Sequence, residues 1–226
     1  MIRDAHVNGI RLRYREEGGP DDRPLVLLHG RTADHNDWNG ITQHFAGRGR
    51  HVLVPDLRGH GESEHPGAYA LHEMAGDVAA LLDHLKTGSV ELIGHSLGAL
   101  VATRVTIARP DLVSRLVLED PPQAYAITGR PLIAEDGPAS FDWRMMHQTE
   151  PQVSDPDPAW VAGLGTIGTP ALVLSGGTAS PFDAADIARR IPGARLVTVE
   201  AGHLIHVTAR QEFLRVVDAF LDEDAR

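Results

Sequence analysis

Cysteine is absent from the 226 residues, which removes thiol nucleophiles, cysteine-ligated zinc, iron–sulfur clusters and any disulfide framework. Basic side chains are in deficit: 21 Lys and Arg face 31 Asp and Glu, a net charge of -10. A chain of that sign is poorly suited to neutralise phosphates, so nucleic acid is not an expected partner. No apolar run approaches the roughly 18 residues that read as a membrane span. Met1 to Arg15 carries charges every few positions where a signal peptide would have its apolar core. A cytoplasmic location without a membrane partner is the expectation that follows. Aromatic residues are few, at 5%. What remains is a globular balance, 42% hydrophobic and 23% charged, in a length that buries a large core unaided.

Strand and helix signals alternate along the chain. His6-Val7-Asn8-Gly9-Ile10 predicts a hairpin, because Asn-Gly accepts positive φ easily. Apolar runs predict strands at 24–28, 51–55, 90–93, 115–118, 171–174 and 195–199. Between them, Tyr69 to Leu85 places Leu71, Met74, Val78, Leu81, Leu82 and Leu85 on one helical face. Further helices are predicted at 97–109, 184–191 and 212–221, with weak helical spacing from Trp38 to Phe45. Continuous apolar strands alternating with helices imply a mostly parallel, doubly wound α/β sheet covered on both faces. Residues 121–168 interrupt this rhythm with seven of the 15 prolines and two of the three tryptophans. They are read as a small inserted cap, and 1–120 with 169–226 as the core. The acidic end, Asp222 to Asp224, reads as a solvated tail.

Gly94-His95-Ser96-Leu97-Gly98 is a G-x-S-x-G pentapeptide between a predicted strand and a predicted helix. A sharp strand-to-helix turn there would push one side chain out at the carboxyl edge of the sheet and would need small flanking residues. Ser96 would sit at a helix N-terminus, where negative charge is favoured. The pattern points to a serine nucleophile; the plainer alternative is a glycine-rich turn with a capping serine.

With Leu27-Leu28-His29-Gly30, Asp56-Leu57-Arg58-Gly59-His60-Gly61-Glu62-Ser63 and Gly202-His203, met in that order around the pentapeptide, the chain resembles the α/β-hydrolase family over nearly its whole length. For that family 226 residues is short, so the economy is expected in the cap, with a small and fairly open pocket. The resemblance implies that His203, just before the last helix, is the general base, and that the backbone N–H groups of Leu97 and Arg31 form the oxyanion hole. It leaves His206, His95 and His29 in packing or local hydrogen-bonding roles. Arginine at 31 departs from many relatives; its guanidinium either reaches a substrate anion or pairs with a carboxylate of the protein.

The acid is harder to place. Ala179 stands where most relatives carry an aspartate after the penultimate strand. Some branches take the acid from the preceding strand instead, which ends here in Glu119-Asp120-Pro121. Asp120 is the favoured candidate, followed by Glu119 and then Asp183. No cofactor and no metal are expected. His203 and His206 have a spacing that suits a metal, but no third ligand is evident, and His72-Glu73 lacks a second histidine.

Apolar residues that could line a pocket are Trp38, Tyr125, Phe141, Trp143, Met145, Met146 and Trp160, each equally open to simple core packing. The expected activity is hydrolysis of a small, largely apolar ester, lactone or thioester through an acyl-enzyme on Ser96, in a monomer or homodimer. Serine in place of aspartate at the turn argues against epoxide hydrolysis and dehalogenation. The alternatives are a cofactor-independent dioxygenase or carbon–carbon bond hydrolase on the same fold, and, in another class, a ligand-binding receptor.

Overall fold

Asn8 and Gly9 both take positive φ, 50° and 79°, so the turn between β1 (Ile2–Val7) and β2 (Ile10–Glu17) closes in the antiparallel register Val7↔Ile10. The computed structural model describes residues 1–129, 135–137 and 139–223. After β3 (Arg23–Leu28), a 3₁₀ turn (His35–Trp38) and α1 (Ile41–Ala46) lead into β4 (Arg50–Pro55). Then come α2 (Leu71–Leu85), β5 (Val90–His95), α3 (Leu97–Ala108) and β6 (Val113–Glu119). The chain continues through α4 (Trp143–Ser154), α5 (Pro158–Leu164), β7 (Ala171–Ser175), α6 (Ala184–Arg190) and β8 (Arg195–Thr198). It closes with α7 (Ile205–Thr208) and α8 (Arg210–Leu221).

The strand order is β1-β2-β4-β3-β5-β6-β7-β8. Only the β1–β2 and β2–β4 pairs are antiparallel. Alternation along each strand divides the core in two, since successive side chains leave opposite faces. Val26 and Leu28 join the α2 and α3 side; Leu25 and Leu27 join the α1 and α8 side. No described helix is long and apolar enough to cross a membrane.

Helix α2 starts two residues after the predicted Tyr69. The Tyr69 N–H donates to the Gln148 amide oxygen and the Ala70 N–H to the Glu73 carboxylate, so both residues lie outside the helix. Between β6 and β7 the proline-rich segment holds two ordered helices. Asp142 and Asp157 cap their N-termini, and Pro158 stands in the first turn of α5, where its missing N–H is not needed. The acidic end is not simply solvated. Asp222 accepts from Arg50 and Arg48 at 2.8 and 2.9 Å, and Glu223 pairs with Arg195; Asp224 lies outside the described residues.

The turn between β5 and α3 is tightly constrained. A methyl group on Gly98 would overlap the carbonyl oxygens of Leu28 and His29, and one on Gly94 would overlap the Gly98 carbonyl. Both glycines are therefore required by close backbone approach. Gly98→Ala is expected to lower stability by about 2 kcal/mol or more. Gly168→Ala, which meets nothing within 4 Å, should stay within about 0.5 kcal/mol of the parent. Urea midpoints of the two variants check this contrast.

Candidate active site

Strands β5 and β6 deliver the central residues to the same level of the sheet. His95 pairs with Glu119 in the parallel register, so the next residues, Ser96 and Asp120, leave their strands side by side. Both take positive φ, 52° and 43°. For non-glycine residues this is strained backbone, on the order of 1–3 kcal/mol each, held only because the surroundings leave no alternative. The Ser96 N–H donates to the Glu119 carbonyl at 2.9 Å, and the Asp120 N–H to the Leu174 carbonyl at 2.8 Å. The strain lifts the Ser96 hydroxyl above the sheet edge at the start of α3.

His203, on the loop between β8 and α7, reaches both residues. Its Nε2 is 3.0 Å from Ser96 Oγ and its Nδ1 is 2.7 Å from Asp120 Oδ2. Asp120 is fully buried. Its Oδ1 accepts the Gly176 N–H at 2.8 Å, and its Oδ2 also accepts the Ser180 hydroxyl at 2.6 Å. The carboxylate can only accept, so Nδ1 donates and Nε2 is left as the acceptor facing the serine. Glu119 and Asp183, the other candidates for the acid, point elsewhere. Glu119 accepts from the N–H and the ring Nδ1 of His206 at 2.8 and 2.9 Å. Asp183 caps α6 and pairs with Arg189.

The turn after β3 is held by histidines. His29 Nε2 accepts the Leu57 N–H at 3.0 Å, and His60 Nε2 lies 2.7 Å from the Arg31 carbonyl, to which it donates. Gly30 and Arg31 face the same cavity as Ser96. Leu97 is the first residue of α3, where backbone N–H groups have no partner within the helix. The Arg31 guanidinium pairs with Glu150 of α4; of its two expected roles, the structure has the pairing with a protein carboxylate.

The cavity over Ser96 has a volume of about 580 Å³ and is walled by Ala33, Met146, Pro181, Phe182, His203 and Leu204 among others. Of the predicted pocket residues, Met146 is there. Trp38 is not: it is fully buried on the α8 side of the sheet, stacked on His206 and close to Phe213. Trp160 packs under Arg104 and donates to Thr103 Oγ1 at 3.0 Å in a separate groove between α2, α3 and α5. Trp143 lies against Phe141 and donates to the Gly137 carbonyl. Tyr125 is exposed and Met145 is core. Phe182, whose ring lies 5.0 Å from that of His203, is a wall residue that no local sequence pattern marks.

Three histidines crowd this edge and their surroundings set them apart. Burial pushes the His95 imidazole down to about 4, against the pull of Glu119. Burial also acts to lower His206, but Glu119 and Asp37 override it and raise that imidazole to about 10. Asp37 in turn is held below the usual carboxylate range by His206, although its own burial works the other way. Among the described residues, the one group of side chains close enough together to hold a metal ion does not include His203 or His206. Asp34, His35 and Asp56 do lie within ligating range of one another, but their oxygens already accept loop N–H groups from Asn36, His35 and Glu62.

Because the folded chain holds the His206 proton more tightly than the unfolded chain, the resulting stabilisation is complete below about pH 6.5. It is lost as pH rises through about 10. Urea midpoints of the parent should therefore fall more steeply between about pH 7 and 10 than those of His206→Gln. Parallel slopes would mean that the buried ring is neutral.

The alpha/beta hydrolase fold family model matches residues 23–161. Over a gapped alignment of 268 positions the chain is 27% identical to the sn-1-specific diacylglycerol lipase ABHD11 of Mus musculus, covering 96% of this chain and 87% of that one. The Danio rerio protein of the same name is 39% identical over 105 residues, 46% of this chain, which thus matches only 33% of its relative's length. Among solved structures, a hydrolase from Pseudomonas aeruginosa PA01 superimposes with a TM-score of 0.85 at 27% identity, covering 97% of this chain and 98% of the other. With its eight-stranded sheet, its strained serine turn and a family match over more than half its length, the chain belongs to the alpha/beta hydrolase family.

Proposed function

We propose that the protein is a serine hydrolase that cleaves a small, largely apolar ester, lactone or thioester through an acyl-enzyme on Ser96. The observation that carries this reading is the continuous hydrogen-bonded chain from Ser96 Oγ to His203 Nε2 at 3.0 Å and from His203 Nδ1 to Asp120 Oδ2 at 2.7 Å. His203 removes the hydroxyl proton as Ser96 attacks the acyl carbon. Asp120, buried and anchored by Gly176 and Ser180, fixes the ring tautomer and stabilises the imidazolium that forms. The Leu97 and Arg31 N–H groups receive the oxyanion, the kind of preorganised contact that contributes about 3–4 kcal/mol to the transition state. His203 then protonates the leaving group and activates the water that releases the acid.

The proposed substrate class rests on the cavity. Its volume of about 580 Å³ suits a small molecule, and Ala33, Met146, Pro181, Phe182 and Leu204 supply apolar surface. Arg31, the one Lys or Arg among the described residues lining the cavity, is paired with Glu150, which makes it a poor partner for an acidic substrate. The lipase names of the relatives agree with an ester-type bond. Residues 121–168 act as a small cap in this reading, with α4 contributing Met146 and the Glu150 tie to the oxyanion turn.

A panel of p-nitrophenyl esters of increasing acyl length tests the assignment. Ser96→Ala should abolish turnover. Asp120→Asn should lose about a hundredfold or more in kcat, as in other triads. Asp183→Asn should stay within about twofold of the parent, since that carboxylate caps α6 and pairs with Arg189 away from Ser96. Loss of activity in Asp183→Asn with an unaffected Asp120→Asn would contradict the assignment of the acid.

A further inference from the structure

Among the described residues, four buried side-chain atoms have no hydrogen-bond partner in the protein: Asp37 Oδ2, Trp38 Nε1, His95 Nδ1 and His206 Nε2. The residues that carry them pack together beside the Ser96 cavity, which Asp37 and His95 line. Asp37 Oδ2 is 3.8 Å from His95 Nδ1, and Asp37 Oδ1 is 3.4 Å from His206 Nε2. Trp38 stacks on the His206 ring with centroids 4.4 Å apart, and the His95 and His206 rings are 5.2 Å apart. A buried polar atom left unpaired is destabilising, so four gathered at one place call for a common partner.

Donor and acceptor roles identify that partner. His95 Nε2 faces the His203 backbone carbonyl at 2.9 Å; a carbonyl accepts, so Nε2 carries the proton and Nδ1 of the neutral ring is an acceptor. Asp37 Oδ2 is a second acceptor. His206 Nδ1 donates to Glu119, and with carboxylates on both sides the ring is charged, which makes Nε2 a donor. Trp38 Nε1 can only donate. Two donors and two acceptors match the four hydrogen-bonding directions of one water molecule. A cation could not accept from the two N–H groups, and a halide could not donate to the carboxylate and the imidazole nitrogen.

We infer that Asp37, Trp38, His95 and His206 enclose a bound water molecule that holds the His203 carbonyl through His95 and so positions the His203 ring over Ser96. The node joins the turn after β3, the nucleophile turn, the His203 loop and the end of β6, four segments far apart in sequence. Buried waters with three or four partners are integral parts of the structures that hold them. The positioning role rests on the serine-hydrolase reading above; the water site does not.

A crystal structure at about 1.5 Å resolution or better tests the site directly. One density peak within about 2.6–3.2 Å of all four atoms is the expected result. An empty site, with the four atoms paired directly to one another, would overturn it. So would a bromide identified there by anomalous scattering after a halide soak. Positioning is tested by steady-state kinetics on Asp37→Asn and, as a milder change that keeps an aromatic ring, Trp38→Phe. Displacement of the His203 ring should lower kcat, by about tenfold in Asp37→Asn and severalfold in Trp38→Phe, with KM within about twofold. Unchanged kcat in both variants, or a change confined to KM, would overturn the positioning role. If the parent neither turns over esters nor acylates, the hydrolase reading fails and positioning falls with it, while the density still decides the water.

Discussion

One buried carboxylate organises the working edge of this protein. Asp120 accepts from His203, Gly176 and Ser180, and these three residues lie on two loops that follow β7 and β8. Burying a charge is costly unless its acceptor sites are filled, and here donors from two loops fill them. The requirement works in both directions. The loops are fixed because the charge must be satisfied, and the charge is tolerated because they converge on it. Ala179, where an aspartate would be expected in most relatives, is compatible with this arrangement. The neighbouring Ser180 supplies a donor to the carboxylate.

Register between β5 and β6 is the backbone counterpart of that constraint. Pairing of His95 with Glu119 sets Ser96 and Asp120 level, and both residues then turn sharply with positive φ. His203 needs to come from only one direction to touch both. Behind this line sit further charges that do not touch Ser96: Glu119 and Asp37 on either side of His206, and the neutral His95 between that group and His203. Three neighbouring imidazoles thus divide into a charged structural ring, a neutral spacer and the ring in contact with the serine. Their partners, not their sequence context, make the division.

Much of the fold was legible because it depends on periodicity. Runs such as Pro24 to Leu28 and the helical face from Leu71 to Leu85 record burial directly, and Asn8-Gly9 records a turn. The preference for Asp120 rests on the family resemblance, some of whose branches place the acid after the strand that is β6 here; periodicity and spacing alone leave Glu119 and Asp183 open. Hydrophobicity alone could not say which side of the sheet an aromatic residue serves. Trp38 shows this: it follows the turn after β3 by a few residues, yet the 3₁₀ turn directs it under the sheet toward Phe213. Trp160 shows it again, covering Arg104 in a different groove. The pairing of Arg31 with Glu150 spans more than a hundred residues, and no local pattern reveals it. Asp37 and Phe182 escaped for the same reason: each becomes part of the site only when distant segments close around it.

The proposed chemistry depends on the reactivity of one hydroxyl. A fluorophosphonate incubated with the intact protein, followed by mass spectrometry of the chain and its peptides, should give one adduct per chain, located on Ser96. Ser96→Ala should take up none. Equal labelling of the two proteins, or an adduct on another residue, would contradict the assignment of Ser96 as the nucleophile.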